Sequence, residues 1–203
     1  MAVNVRNAFV AKPMDAGTAF SFLPGAFPLP EDAVTPLAEG ILACDHGAVD
    51  ENGFGVAPAR SNAKINMFGG KLFVSTQETY EETISIAFLE DDNINVLETV
   101  FGETNVEVTE ATDEHGTQKT IYHAADELPL KSWVIQAEYQ GKVKRFVIEY
   151  ARVSEVAESR SVHNDATKWE LTLDVMEGQN GKYVNEYRDD GVVVAEDEAP
   201  ENP

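Results

Sequence analysis

Strict alternation of apolar and polar residues is the main pattern in the middle of this chain. Residues 169–175 alternate without exception, which is typical of a strand with one buried face. The same period of two runs through residues 133–139, 145–150 and 83–88. Turn dipeptides with glycine, which supplies the positive φ of tight hairpins, separate such runs at Gln140–Gly141, Asn180–Gly181, Gly69–Gly70 and, in a longer loop, His115–Gly116. The pattern predicts a series of antiparallel hairpins.

One segment between residues 92 and 101 has helical spacing instead. Its apolar residues are Ile94, Leu97, Val100 and Phe101. Asn93 or the aspartates before it can cap the first turn, and Gly102 can end the helix. A divalent-cation loop is the alternative interpretation of residues 90–93, but acidic residues more often stabilise a helix N-terminus. The sequence therefore predicts a mainly β fold, an antiparallel sandwich or barrel with one flanking helix.

The two ends of the chain differ from this central part. Residues 1–36 are rich in proline and apolar side chains, and we expect an extended arm that lies against this domain or a neighbouring chain. Residues 189–203 contain six acids, two prolines and no bases, which predicts an acidic C-terminal arm. Residues 37–188 form the predicted β domain.

The net charge is the strongest compositional signal. The 36 acidic and 15 basic side chains give −21, and residues 72–118 contain no Lys or Arg at all. Nucleic-acid binding needs clustered bases, and docking on anionic lipid needs them too, so both are disfavoured. No apolar run reaches the roughly 18 residues of a membrane span, so we expect no membrane insertion.

Candidate chemistry is sparse. The single cysteine, Cys44, has no disulfide partner, and together with His46 it lacks the further ligands of a structural zinc site. The motifs of nucleophilic hydrolases, nucleotide-binding loops, zinc proteases and dinucleotide-binding folds are missing from the sequence. Carboxylates are too abundant for any one pair to indicate acid–base catalysis. We expect no enzyme activity, no metal and no cofactor.

Several motifs nevertheless stand in a distinctive order. GAVDENG at 47–53 and GGKLFV at 69–74 precede ETISIAFLE at 82–90 and a helix over 93–101 that is followed by glycine. RFVIEYARVSEV at 145–156 and WELTLDV at 169–175 come after it. This order, over roughly residues 37–190, resembles the major tail protein of long-tailed, siphovirus-type bacteriophages, which is the subunit of the tail tube.

The resemblance implies a structural protein of the virion tail. Its β-sandwich subunits would close into hexameric β-barrel rings, and the rings would stack into the hollow conduit of a long flexible tail, through which viral DNA is ejected across the host envelope. The implied partners are further copies of the chain, the tape-measure protein, the tail terminator and the baseplate or tip proteins. Assembly would take place in the host cytoplasm. DNA would pass without specific binding, because an acidic lumen repels phosphate.

The resemblance also implies two sets of site residues. The segment between residues 54 and 71 is expected to be a loop that contacts the next ring, with an ordinary mobile surface loop as the alternative. Its contact candidates are Phe54, Arg60, Lys64, Ile65, Met67 and Phe68. Polar faces of the alternating strands are expected to line the lumen through Glu81, Thr83, Ser85, Gln136, Glu138 and Glu149.

Other classes of protein fit the same composition. A small-molecule-binding or hydrolytic β-barrel would need a concave pocket with convergent polar groups, which no motif marks. A virion decoration or surface β-sandwich domain is a second alternative. Contractile-tail and type VI secretion tubes would share the ring but have different partners.

Overall fold

The computed structural model describes residues 3–193, in which seven of nine strands belong to one antiparallel sheet. Strand residues make up 46% and helical residues 9%, so the predicted mainly β, antiparallel class is confirmed. The strands are β1 (Ala19–Phe22), β2 (Val49–Asn66), β3 (Leu72–Phe88), β4 (Val106–Thr109), β5 (Gln118–Ile121), β6 (Lys131–Tyr139), β7 (Lys142–Val156), β8 (Trp169–Met176) and β9 (Asn185–Asp189). The helices are α1 (Glu39–Leu42) and α2 (Ile94–Phe101), with single 3₁₀ turns at Val5–Asn7 and Glu103–Asn105.

The main sheet runs in the order β1-β6-β7-β8-β3-β2. One edge of β7 is shared, because its first half pairs with β9 and its second half with β8. Strands β4 and β5 form a separate two-stranded sheet. The path ends at β1 and at β2, so the described residues of one subunit do not form a closed barrel.

Local signals account for the hairpins and the helix. Gln140 and Gly141 both have positive φ, 51° and 82°, as a two-residue hairpin turn of type I′ requires. Helix α2 begins after Asn93, whose side chain accepts a hydrogen bond from the Asn95 N–H, and it ends at Gly102 with φ of 91°. The predicted helix and its two capping residues are therefore confirmed.

The main core lies between one face of the sheet and α2. It contains the buried side chains Ile84, Ile86, Phe88, Val96, Trp133, Ile135, Ile148, Leu171 and Leu173. Each fully buried side chain of this size contributes about 1.5–3 kcal/mol to folding. The predicted alternating strands supply most of these residues, because most of their apolar positions point to this face; Val134 and Val147 are buried on the other one.

The N-terminal segment covers the opposite face of β6 and β7. Phe20, Phe22 and Ile41 pack there against Val134 in a second buried cluster. The apolar N-terminal residues therefore lie against their own domain, and β1 is a strand of the main sheet rather than part of an extended arm. The predicted acidic C-terminal arm falls mostly on residues 194–203, which lie outside the described residues.

Candidate assembly surface

The long β2–β3 hairpin extends beyond the rest of the sheet. Strand β3 pairs with β8 only from Glu82 onward, so residues 72–81 have β2 as their only strand neighbour among the described residues. We call residues 59–81 the arm. The ten β3 residues of the arm span about 34 Å at about 3.4 Å per residue. Between Ser61 and Thr79 every side chain except Ala63 is exposed, so this part of the arm is solvated on both faces.

The outer part of the arm is nevertheless amphipathic. Cross-strand pairing places Ala63 opposite Thr76 and Ile65 opposite Val74 on one face. The other face carries Asn62 opposite Gln77 and Lys64 opposite Ser75. At the tip, Gly69 and Gly70 make the turn with positive φ, and large apolar side chains are exposed around it. These are Ile65, Met67, Phe68, Leu72, Phe73 and Val74. By alternation Phe73 lies on the face of Ser75 and not on that of Val74, so apolar side chains surround the tip on both faces. Such a concentration of exposed apolar groups marks an interaction site more often than a free surface.

The arm also differs from the rest of the chain in charge. It contains three bases, Arg60, Lys64 and Lys71, against two acids, Glu78 and Glu81, for a net charge of +1. Because the whole chain carries −21, the other residues together carry −22. The arm is thus a weakly cationic, apolar-tipped ribbon on a strongly anionic body.

The structure corrects the predicted contact loop in two respects. The segment 54–71 is not an irregular loop, because residues up to Asn66 form the outer strand of the hairpin. Phe54 is not an exposed contact residue. It packs against the main core, edge to face with Phe146 at 5.3 Å between ring centroids. Arg60 lies over the Tyr80 ring near the base of the arm. Lys64, Ile65, Met67 and Phe68 do lie exposed at or near the tip.

Three of the predicted lumen residues share one face at the base of the hairpin. Glu81, Thr83 and Ser85 lie opposite Ala59, Ala57 and Gly55, respectively. Ser85 and Glu81 are exposed, and Thr83 is half-buried. Small residues on the facing strand make this face smooth and polar.

The other three predicted lumen residues lie on β6 and β7, where the N-terminal segment covers the sheet. Gln136 does not face water, because it is only 1% exposed. Its side-chain amide nitrogen donates to the Gly17 carbonyl, and its amide oxygen accepts a hydrogen bond from the Arg145 guanidinium. Arg145, itself 2% exposed, donates to the main-chain carbonyls of Asp32 and Thr35. The prediction that Gln136 faces water is therefore wrong: alternation placed it on the face opposite Trp133 and Ile135 but could not show that another segment of the chain covers that face. Glu138 is exposed, and the half-buried Glu149 accepts a hydrogen bond from the Gln179 N–H.

A groove lies at the end of β2 and β3 opposite the arm. Val49 pairs with Phe88 and Phe54 with Ile86, so residues 50–53 of β2 bulge away from Ala87. The Asp50 carboxylate accepts hydrogen bonds from the backbone and side chain of Asn52, and Gly53 has φ of 69°. The bulge opens a cavity of about 390 Å³, whose lining includes Gly55, Ala87, Ala157 and Thr172. The Asn52–Gly53 dipeptide is a turn signal that the sequence analysis did not use, and it would not have predicted a groove.

The groove has an acidic rim. Asp50, Glu155 and Glu170 line it, and Lys168 pairs with Asp50 at 3.4 Å and with Glu170 at 3.0 Å. The pKa of Asp50 is lowered, first by the hydrogen bond from the Asn52 backbone and further by Lys168. Three carboxylates against one ammonium leave the rim net negative.

A buried polar network beneath β6 has the residue types of a catalytic pair. His46 Nδ1 donates to the Cys44 carbonyl at 3.0 Å, which leaves Nε2 as an acceptor for the hydroxyls of Thr99 at 3.0 Å and Ser21 at 3.2 Å. Burial, and secondarily the charge of Lys131, lowers the pKa of His46 to about 3. His46 is fully buried and Ser21 is 5% exposed, so no substrate reaches this pair in the described structure. The network holds β1, α2 and the segment before β2 together.

Two further site classes were tested on the described residues. Among residues 3–193, no three His, Cys, Asp or Glu side chains are arranged to hold a metal ion. Within the same range, no helix has the length and apolarity that crossing a membrane requires.

No protein-family model and no curated protein matches this chain. The likeness to tail tube subunits consequently remains a prediction from sequence motifs, and the assignment of function depends on the geometry of the arm and the groove.

Proposed function

We propose that this protein is a self-assembling structural subunit, the tail tube protein of a long-tailed bacteriophage. The observation that carries the proposal is the arm, a long hairpin with an exposed apolar tip and no other strand beside it among the described residues. An isolated two-stranded hairpin is marginally stable at best in water. A 34 Å ribbon of this kind gains stability when a partner pairs with its edges or covers its faces.

The open edges of the arm favour a polymer of identical subunits. Strand β2 lies at the edge of the main sheet, and the arm portion of β3 is a second edge. Exposed edges pair with other chains unless something covers them, and closure into a ring removes them. Because β2 and β3 are antiparallel, β3 of one subunit and β2 of its neighbour would run antiparallel in a cyclic ring. Closed rings of six such subunits, stacked along one axis, are the assembly that the motif order implies.

In this assembly the smooth polar face at the base of the hairpin would line the conduit. Glu81 and Thr83 would face the DNA, and Ser85, at the end of this face, would lie beside the groove. The covered Gln136 would not face the DNA. The wall formed by this face is only weakly charged, and repulsion of phosphate would come mainly from the anionic body of each subunit. The tape-measure, terminator and tip proteins would bind at the interior and the two ends of the tube, and the site of action would be the virion tail.

The proposal is tested by removing the arm as a whole. A deletion confined to residues 57–66 would remove the β2 side of the arm and leave the β3 side without a partner strand. Residues 62–78 are therefore replaced by the dipeptide Asn-Gly, which joins the opposed Ser61 and Thr79 by a two-residue turn. A matched control shortens the β4–β5 hairpin in the same way, replacing residues 110–117 between the opposed Thr109 and Gln118. Circular dichroism, sedimentation velocity and negative-stain microscopy are compared with the unaltered chain.

We expect both variants to fold, because neither change touches a core residue. The unaltered chain and the control should form six-fold rings and tubes, and the chain without the arm should remain a monomer. Tubes of normal length from the armless chain would show that the arm is not the assembly element. A strictly monomeric unaltered chain at every concentration and salt, even after long incubation with tail initiator complex, would overturn the proposed function.

A further inference from the structure

We infer that the tip of the arm binds a second copy of this chain in the acidic groove at the bulge of residues 50–53, so that subunits join head to tail. The inference rests on the proposed function and adds the acceptor site, for which the sequence resemblance supplied no residues. Phe68 and Met67 would enter the groove, and Lys64 and Lys71 would face its acidic rim.

The two surfaces lie at opposite ends of the same pair of strands. Leu72 begins β3 at the tip, and Ser85 and Ala87 lie beside the groove 13–15 residues farther along the strand. At about 3.4 Å per residue this separation is about 45 Å. A protrusion and an acceptor at opposite ends of one subunit give a heterologous contact that repeats without closing, which is the requirement for a filament.

The groove fits the tip in size and shape. Its volume of about 390 Å³ lies within the range of sites that hold small organic groups. Gly53, Gly55, Ala87 and Ala157 line it with small side chains, so an aromatic ring can approach the backbone closely. Phe68 is fully exposed at the apex of the tip and is the more exposed of its two aromatic side chains, the other being Phe73. A buried aromatic anchor in a small-residue groove is a typical energetic centre of a protein interface.

Charge favours a second copy over other occupants. The tip bears Lys64 and Lys71, whereas the groove rim has three carboxylates and one ammonium. A bilayer is the main alternative for a cationic tip with exposed Phe and Met. However, the body that would follow the tip to the membrane carries −22, which anionic lipid repels. The same body charge attracts the cationic tip of another subunit.

The experiment mixes two single-cysteine variants on a Cys44→Ser background, Asn66→Cys in one protein and Ala87→Cys in the other; Asn66 is exposed beside the tip, so Phe68 stays in place. A short bismaleimide is added under assembly conditions, and cross-linked dimers are resolved by gel electrophoresis. The matched control pairs Asn66→Cys with Val108→Cys, an exposed apolar position on β4 outside the groove. Charge reversal gives a second measurement. Lys71→Glu places a carboxylate against the acidic rim, so it should raise the concentration needed for assembly about tenfold. Adding Glu155→Lys to the same chain restores an opposite charge on the rim and should reverse that rise.

The inference predicts dimers for the groove pair and none for the control pair. It also predicts a tube whose axial repeat is about 45 Å. The acceptor site would be overturned, and the proposed function left intact, if tubes form but no cross-link to Ala87→Cys is found and Glu155→Lys does not reverse the Lys71→Glu defect. Monomers that float with vesicles of anionic lipid through Phe68 would overturn both, because the tip would then be a membrane contact.

Discussion

Strand β6 and the arm are both extended β ribbons, but residues 131–137 of β6 are buried on both faces and the arm is buried on neither. Trp133 and Ile135 of β6 face the main core. On the other face, Val134 lies beside Phe20 and Phe22 of the adjacent β1, and Ile41, Phe27, Leu29 and Leu37 of the segment after β1 pack against them. No described segment of the chain lies over the outer part of the arm. Under the proposed assembly, the fold supplies a cover where the subunit must be stable alone, and a partner would supply it where the subunit joins another.

The two covers also differ in chemistry. The N-terminal segment is fixed by the buried Arg145, which satisfies two main-chain carbonyls and the Gln136 amide. The partner cover that we propose for the arm uses apolar side chains and solvent-accessible lysines. Buried charge-assisted hydrogen bonds suit a permanent contact, whereas exposed ion pairs contribute little and respond to salt. Assembly should therefore be salt-sensitive while the subunit fold is not.

The largest expected effect is on the covered half. Arg145→Ala removes the partner of the buried Gln136 amide and of the partly buried Asp32 and Thr35 carbonyls, so we expect a loss of about 3 kcal/mol in the free energy of unfolding. Urea denaturation measures it. Arg160→Ala is the control, because Arg160 pairs with Glu158 on the surface and its loss should change stability by less than about 0.5 kcal/mol. Equal midpoints for the two variants would contradict the anchoring role of Arg145.

A smaller effect is expected from pH at the His46 network. The folded-state pKa of about 3 lies below the ordinary 6.5, so protons bind the unfolded chain more tightly. Stability from this group is complete above pH 6.5 and is lost as the pH falls from there towards 3, at about 1.4 kcal/mol per pH unit.

Urea denaturation at pH 7.0, 6.5, 6.0 and 5.5 tests this dependence before most carboxylates titrate. His46→Gln should flatten the pH dependence over this window, whatever its effect on absolute stability, and His163→Gln at an exposed loop position should not. An unchanged slope in His46→Gln would show that the buried imidazole does not titrate on unfolding.

Sequence reasoning succeeded where a local signal decides the structure. Alternation predicted β6 and β8, Gln140–Gly141 predicted the β6–β7 turn, and Asn93 and Gly102 predicted the ends of α2. It failed where the deciding contact is distant. Residues 54–66 have too little apolar alternation to indicate a strand, yet β3 holds them in register. Nothing local to Gln136 shows that Arg145 and the N-terminal segment bury it. Leu72, Phe73 and Val74 were part of a recognised motif, but their exposure at the tip was not predicted.

Hydrogen–deuterium exchange tests the central claim most directly, because it compares the arm and β6 in the same sample. In the dilute subunit, amides of residues 72–79 should exchange quickly, since a two-stranded ribbon opens readily, and amides of β6 should be protected. After assembly the arm amides should gain protection of at least about tenfold, which corresponds to about 1.4 kcal/mol, while those of β6 stay unchanged. Equal exchange of residues 72–79 in the dilute and assembled protein would contradict the claim that a second copy completes the arm.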